Sequence, residues 1–277
     1  MDFYKNDIPI LDSSGGYGDA FNPPTNQATG LVPRDFSKYP QEMFAPPSQL
    51  QLIPQSEWDA RYDEQENRRS SLEHKYLRGP NGEPAFENLD QNGNGYCWAY
   101  SSTHALMLKR LVQNQKVVRL NPHSVAAIIK GGRDEGGWCG LSCKFIRENG
   151  VAEEGTKSGQ WPLHSRDLRY DNTVTRNSMA RYKVEEDWYD ITREVWDQKL
   201  NTLQVATCGF LNVPVPSDFN WWGHSVCQVR WVRIEAGSWG PLILNSWKGW
   251  GRYGLAVLRG SQAIANNAVA VLSATAS

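Results

Sequence analysis

Apolar residues recur at helical spacing in the segment that begins at Cys97. Ala105, Leu108 and Leu111 follow one another at three-residue intervals, and a Gly-Asn-Gly loop precedes the segment. This periodicity predicts a helix from residue 97 to about Val112. Cys97 therefore lies at or near a helix N-terminus.

Further along the chain the pattern predicts helices first and strands afterwards. Two more helices are predicted at 142–148, where Asn149-Gly150 ends the pattern, and at 192–203. The segments that follow are rich in β-branched and aromatic residues and are separated by Gly or Pro turns, which predicts strands at 205–213, 225–234, 241–246 and 255–259. This order favours an α+β protein with a helical lobe, a sheet or barrel lobe and a groove between them.

The first 50 residues have a different character. They are rich in Pro, Gly, Asn and Ser and lack sustained apolar periodicity, so we predict an extended N-terminal arm (residues 1–50) without a core of its own. The rest, 51–277, is expected to be one globular unit, with the helical lobe at about 91–170 and the β lobe at about 171–277. We expect the arm to cross the groove or to dock on a partner protein or neighbouring subunit.

Composition narrows the classes of function. The chain has 277 residues and a formal net charge of -1, so no overall field would draw it to nucleic acid or to an anionic membrane. The N-terminus lacks the features of a secretory signal, and no apolar run is long enough to span a bilayer. We therefore expect a soluble protein, cytoplasmic or within a particle such as a virion.

Five cysteines permit two disulfides beside one free thiol but do not require them. Cys139 and Cys143 have the spacing of one helical face. No histidine or second cysteine pair lies near them in the sequence to complete a zinc site, so we expect no metal and no cofactor.

A cysteine at a helix N-terminus is a candidate nucleophile, because the helix dipole favours the thiolate. It also needs a histidine as its base. His104 lies two turns along the same helix, about 10 Å away. His224 opens a strand after a Trp-Trp-Gly turn, and a rigid strand end is a good mount for a base. The remaining histidines have no neighbour in the sequence that would orient the ring: His74, His123 and His164.

Asn245 is the candidate for the group that orients the histidine. It ends an apolar strand and is followed by Ser246 and Trp247. A neutral amide accepts from the imidazole N–H without competing for the proton, and the adjacent Trp247 can keep water from that hydrogen bond.

Three blocks together resemble the papain and cathepsin family of cysteine peptidases. Gln91 precedes Cys97-Trp98-Ala-Tyr-Ser by six positions, His224 is followed by an apolar strand, and Asn245-Ser-Trp has a Trp-Gly-x-x-Gly continuation. The resemblance covers residues 53–260. It implies a papain-like two-lobe fold, with a helical lobe, an antiparallel β-barrel-like lobe and the active-site groove between them.

The resemblance also implies roles for residues. Cys97 would be the nucleophile, His224 the acid and base, Asn245 its orienting partner, and Gln91 an oxyanion-hole donor together with the Cys97 backbone N–H. Trp247 would shield the histidine. Two further residues are expected to line the substrate site: Trp98 and Gly140. The implied activity is hydrolysis of peptides or proteins, as an endopeptidase or exopeptidase, through an acyl-enzyme intermediate.

The sequence departs from the family pattern at several places. Asn94 stands where the family has a disulfide-bonded cysteine, Cys139 resembles the surviving half of that bridge, and Tyr96 replaces a small residue. The arm is also unlike the family's helical propeptide. These departures leave open a structural or adaptor subunit of a larger assembly, such as a virion, and a cell-wall peptide hydrolase.

Overall fold

The structure is a computed structural model that describes residues 3–5, 7–12, 18–24, 26–40, 51–155, 171–185, 188–191 and 198–276. Its α-helices are α1 (Gly18–Phe21), α2 (Trp58–Arg68), α3 (Leu72–Tyr76), α4 (Cys97–Val112), α5 (His123–Ile129), α6 (Cys139–Glu148), α7 (Thr173–Met179) and α8 (Gln198–Phe210). Its strands are β1 (Phe3–Tyr4), β2 (Ile8–Leu11), β3 (Leu120–Asn121), β4 (Ala152–Glu153), β5 (Trp188–Asp190), β6 (Val215–Phe219), β7 (His224–Glu235), β8 (Ser238–Leu244), β9 (Leu255–Leu258) and β10 (Asn267–Val271).

Helix α4 is the central helix, and the structure confirms its prediction from residue 97 to residue 112. Every residue from Cys97 to Leu111 is buried, because the helix lies between the sheet and the other helices. The hydroxyls of Ser101 on α4 and Ser225 on β7 are 2.8 Å apart. This buried hydrogen bond joins the helical lobe to the strand that begins at His224.

The main sheet has the strand order β1-β2-β9-β8-β7-β6-β10-β5 in the described residues. Its pairs are antiparallel, except that β2 pairs in parallel with β9. The sheet separates a large core that includes α4 from a smaller cluster containing Trp222, Trp247 and Trp250. The fold is thus α+β, with helices and sheet as two lobes. Strands β1 and β2 come from the arm, and Ile8 is fully buried.

The prediction of a strand at 205–213 is wrong, because α8 continues to Phe210 and strand β6 begins only at Val215. Val205, Ala206 and Cys208 are all buried, so the short apolar run reflects a buried helix. The helix predicted at 192–203 lies partly outside the described residues, which resume at residue 198. Helix α6 begins at Cys139, three residues before its predicted start.

Candidate active site

Cys97 is the first residue of α4 and is fully buried. Burial raises the pKa of its thiol to about 12 and outweighs the opposing hydrogen bonds from the backbones of Ser225, Gly30 and Trp98. The buried carboxyl of Asp218 raises the pKa further. The helix N-terminus therefore does not produce a thiolate while the site is covered.

The candidate base and its orienting group meet at the start of β7. The Nε2 atom of His224 is 2.7 Å from Oδ1 of Asn245, and the same oxygen accepts from the Ser246 backbone N–H at 2.7 Å. Because Oδ1 is an acceptor, Nε2 carries the hydrogen and Nδ1 is left as the basic nitrogen. Among the described residues Nδ1 has no hydrogen-bond partner. The backbone of Ser225, the residue after His224, lies close enough to the Cys97 thiol to lower its pKa.

Two tryptophans enclose the imidazole of His224. The Trp247 ring stacks on it with the centroids 4.4 Å apart, and the Trp222 ring meets it edge-on at 4.8 Å. Burial lowers the pKa of His224 to about 4, although the hydrogen bond that His224 donates to Asn245 opposes this shift. The ring is therefore neutral at neutral pH. Trp247 covers one face of the imidazole that bonds to Asn245.

Gln91 holds its amide in one orientation. Its Oε1 accepts from the Ser246 hydroxyl at 2.6 Å, so its Nε2 hydrogens point the other way. Nε2 donates to the carbonyls of Asn94 at 2.8 Å and of Ala28 at 2.7 Å. Ala28 belongs to the arm, so the candidate oxyanion donor binds a peptide carbonyl.

The arm backbone also makes contacts with residues of both lobes. The Ala28 carbonyl also accepts from Nε1 of Trp247 at 2.9 Å. Farther along, Leu31 forms a parallel bridge with Gly137 and donates from its N–H to the Gly223 carbonyl at 3.1 Å. The arm backbone therefore contacts both lobes across the groove.

Gly30 lies at the tightest point of this passage. A Cβ atom built on Gly30 would lie 2.1 Å from the carbonyl oxygen of Gly95 in the loop before α4. The backbone of Gly30 lies close enough to the Cys97 thiol to lower its pKa, and the Gly30 carbonyl accepts from the Gly137 N–H at 3.0 Å. A residue with a side chain does not fit here without backbone movement.

Two tryptophan indole N–H groups bind the arm at Ala20 and Phe21, before the segment that passes Cys97. Nε1 of Trp222 donates to the Phe21 carbonyl at 2.6 Å, and Nε1 of Trp250 donates to the Ala20 carbonyl at 2.7 Å. The Phe21 ring also packs edge-on against Trp222. The arm thus covers the tryptophan cluster as well as the groove.

Trp98 and Gly140, the two further residues expected to line the substrate site, lie in different parts of the structure. The buried Trp98 ring supports Gly137, where an added Cβ would lie 2.7 Å from the ring. Gly140 is buried in the first turn of α6, and Gly137 is the glycine that pairs with the arm. The resemblance implies that the loop of residues 136–140 pairs with substrate backbone and leaves its register open, and the structure pairs the arm with Gly137 of this loop.

The other histidines have other surroundings. His104 is buried inside α4, and its burial lowers its pKa to about 3. Nε2 of His123 is 3.1 Å from the Tyr100 hydroxyl, and Nδ1 of His74 is 2.7 Å from the Ser71 hydroxyl. His164 lies outside the described residues.

All five cysteines are free thiols. Within the described residues, no group of three or more His, Cys, Asp or Glu side chains could hold a metal ion. The search of the same residues also finds no helix with the length and apolar character of a membrane span.

Comparison with solved structures shows the fold to be that of papain-like cysteine proteases. Xylellain, a cysteine protease from Xylella fastidiosa, aligns at a TM-score of 0.59 with 15% identity over 90% of this chain and 97% of its own. ProCathepsin B S9 from Trypanosoma congolense aligns at 0.58 with 15% identity over 91% and 88%. Digestive procathepsin L 3 of Tenebrio molitor aligns at 0.52 with 19% identity over 68% and 66%. No protein-family model matches the sequence, and the search of curated proteins gave no match.

Proposed function

We propose that this protein is a cysteine peptidase that hydrolyses peptide bonds through an acyl-enzyme, and that its N-terminal arm holds it inactive. The observation that carries the proposal is the backbone of residues 28–32 in the groove. The Ala28 carbonyl accepts a hydrogen bond from Gln91 Nε2, and the Gly30 N–H lies near the Cys97 thiol. A groove that holds an extended peptide near a thiol, together with the oriented imidazole of His224, offers the parts that acyl transfer requires.

In the first step, the Cys97 sulfur attacks the carbonyl carbon of a bound peptide bond. The Nδ1 atom of His224 takes the thiol proton, and Asn245 keeps the ring oriented through its bond to Nε2. Negative charge then develops on the carbonyl oxygen. Gln91 Nε2 and the Cys97 backbone N–H stabilise that charge.

The tetrahedral adduct then collapses, and the carbon–nitrogen bond breaks. His224 gives its proton to the leaving amine, and the acyl group remains on sulfur as a thioester. His224 next accepts a proton from water, and the resulting hydroxide attacks the thioester carbon. Release of the carboxylic acid returns the proton to sulfur and regenerates the thiol.

The arm fits the role of inhibitor better than the role of substrate. Gln91 holds the carbonyl of the Ala28–Thr29 peptide bond, whereas the Cys97 thiol lies near the N–H of the next peptide bond, so the two groups do not act on the same peptide bond. The pairing of Leu31 with Gly137 also fixes the arm on the helical lobe. A peptide held in this way excludes substrate without being cleaved.

Burial beneath the arm accounts for the protonation state of the site. The Cys97 pKa of about 12 and the His224 pKa of about 4 both favour a neutral thiol and a neutral imidazole at pH 7. Removal of the arm would admit water and relieve the cost of charging both groups. The thiolate–imidazolium pair would then form more readily.

The alternative subunit of a larger assembly gains no support from the likeness to solved structures. The three structures named above are described as a cysteine protease or as procathepsins. The arrangement of Gln91, His224 and Asn245 also exceeds what a purely structural subunit requires.

The test compares the wild-type chain with full-length Gly30→Val, which we call the arm-displaced variant, on a mixed peptide library. We expect turnover from the arm-displaced variant and little from the wild type. Adding Cys97→Ala or His224→Ala to the arm-displaced variant should abolish turnover. A well-folded arm-displaced variant that alkylates readily at Cys97 but cleaves no peptide would refute the peptidase.

A further inference from the structure

Asp218, on strand β6, is a buried acidic residue that takes no step in the proposed reaction. It is 1% exposed, and its partners across the sheet are Ser225 on β7 and Asn267 on β10. Nδ2 of Asn267 donates to Asp218 Oδ2 at 2.6 Å. Burial raises the pKa of Asp218, and the hydrogen bonds from the side chains of Asn267 and Ser225 oppose that shift. The carboxyl group is therefore held between two neighbouring strands.

The same carboxyl group also bonds to the helical lobe. The Cys139 backbone N–H lies 3.0 Å from Oδ2 and 3.2 Å from Oδ1 of Asp218. Cys139 is the first residue of α6, and Trp138 before it makes no side-chain hydrogen bond to the start of this helix. The first N–H groups of a helix have no partner within the helix, and a negative charge beside them is favourable. Asp218 therefore supplies from the sheet an acceptor that Trp138 does not.

The loop that leads into α6 is the one that pairs with the arm. Gly137 precedes Cys139 by two residues. Its N–H donates to the Gly30 carbonyl at 3.0 Å, and its own carbonyl accepts from the Val32 N–H at 2.9 Å. These two bonds hold an extended segment as a neighbouring strand would. The position of Gly137 relative to Cys97 therefore sets where a bound peptide lies.

Hydrogen bonds rather than a disulfide hold this loop, because all five cysteines are free thiols. Toward its start, Asp134 accepts from the Gly95 N–H at 2.8 Å in an exposed contact. At its end, Asp218 accepts from the Cys139 N–H in a buried contact. A hydrogen bond in the low dielectric of the interior is stronger than one in water. The bond to Asp218 is therefore the firmer of the two.

A cap for α6 does not by itself explain a buried carboxyl group. A serine, asparagine or aspartate at position 138 would bond the first N–H groups without any charge in the interior. A buried carboxylate is costly unless hydrogen bonds satisfy it, and Asp218 draws those bonds from both lobes. Its placement fits a link between the lobes.

Building on the proposed peptidase, we propose that Asp218 is a positioning residue that acts through Cys139 and holds Gly137 where its backbone bonds a substrate peptide beside Cys97.

The test measures whether Asp218 and the Gly137 hydrogen bonds act together. The arm-displaced variant with Cys97→Ala is titrated with a fluorescent peptide of residues 26–40 that has either an amide or an ester between Leu31 and Val32. The ester lacks the N–H that bonds the Gly137 carbonyl. We expect it to bind about 2- to 10-fold more weakly than the amide, as loss of one neutral hydrogen bond does.

Asp218→Asn in the same chain should weaken the amide peptide and leave the ester peptide nearly unchanged, so that the two bind almost equally. A role in stability alone would weaken both peptides by the same factor, and that result would overturn the inference. The matched control is Asp7→Asn, the same substitution at a side chain that is 90% exposed. This control should keep the full difference between amide and ester.

If Asp218→Asn does not fold, Asp218→Ala together with Cys139→Pro is the second variant. It removes the acceptor and the donor at once, so neither is left buried without a partner. Proline is favoured at the first position of a helix, and Trp138 already has the extended backbone that precedes proline, with φ -134° and ψ 158°. Amide and ester should again bind almost equally, and a retained difference would overturn the inference.

Turnover separates this inference from the peptidase itself. In the arm-displaced variant with its native Cys97, Asp218→Asn should raise KM by about 2- to 10-fold and change kcat less, whereas a lower kcat at an unchanged KM would contradict the positioning role. Cleavage with an ester effect that Asp218→Asn leaves intact would sink the positioning role and keep the peptidase. An ester effect that depends on Asp218, without any cleavage, would sink the peptidase and keep Asp218 as the residue that positions the peptide-binding loop.

Discussion

Replacement of Gly30 by valine tests whether the arm controls the chemistry of Cys97. The new Cβ would lie 2.1 Å from the Gly95 carbonyl oxygen, well inside contact distance. That oxygen belongs to the backbone of the loop before α4, so a side-chain rotation does not relieve the clash. We expect the arm to leave the groove and expose the thiol.

The expected change in the alkylation rate follows from the pKa of the Cys97 thiol. At the covered value of about 12, roughly 1 in 100,000 thiols is ionised at pH 7. An ordinary cysteine with a pKa of about 8.5 is about 3% thiolate at that pH. Ionisation alone therefore predicts a rise of about 3000-fold in the alkylation rate, and access for the reagent adds to it.

The assay follows iodoacetamide modification of Cys97 by mass spectrometry between pH 5 and pH 9. The matched control is Lys38→Val, which places the same side chain on a part of the arm where the lysine is 72% exposed. Cys97→Ala identifies signal from the other thiols, and thermal unfolding checks the fold. An alkylation rate in Gly30→Val equal to that of Lys38→Val would refute the arm as the cause of inactivity.

Three more changes test separate parts of the structure. In the arm-displaced variant, Gln91→Ala should lower kcat by about 100- to 1000-fold through loss of an oxyanion donor, and an unchanged kcat in peptide turnover would remove Gln91 from that role. Trp222→Phe in the otherwise native chain keeps a ring beside His224 but removes the donor to the Phe21 carbonyl, so Cys97 alkylation should rise about 2- to 10-fold. His104 has a folded pKa of about 3 against about 6.5 when unfolded, so the unfolded chain binds the extra proton between these values and stability falls as pH falls. His104→Leu should flatten the dependence of unfolding free energy on pH by up to about 1.4 kcal/mol per pH unit in that window, measured by urea unfolding at pH 4.5, 5.5 and 6.5; an unchanged slope would contradict the buried neutral imidazole.

Much of the candidate site could be predicted from the sequence because its signals are local. Helix α4 has sustained periodicity, so its start at Cys97 follows from the sequence alone. His224 opens a strand and Asn245 follows one, and the structure joins them through a 2.7 Å contact. Their roles in catalysis remain proposals for the experiments above.

Other features had no local signal. The apolar run at 205–213 is typical of either a buried helix or a strand. The structure forms a helix to Phe210, whose apolar residues are buried in the core. The arm has too few apolar residues to show periodicity, yet Ile8 and Leu11 are buried where β2 joins the edge of the sheet. Strand pairing across such a distance in sequence depends on an edge that exists only in the folded protein.

The sequence by itself determined the helix that begins at the thiol, and the histidine and asparagine at the ends of two strands that could serve it. Only the tertiary structure decided which distant segment covers that thiol. Arg34 reaches Asp190 across 156 residues, and Gly30 meets Gly95 through backbone atoms alone. Hydrophobic periodicity records which face of an element is buried, but it does not record which distant segment lies against that face.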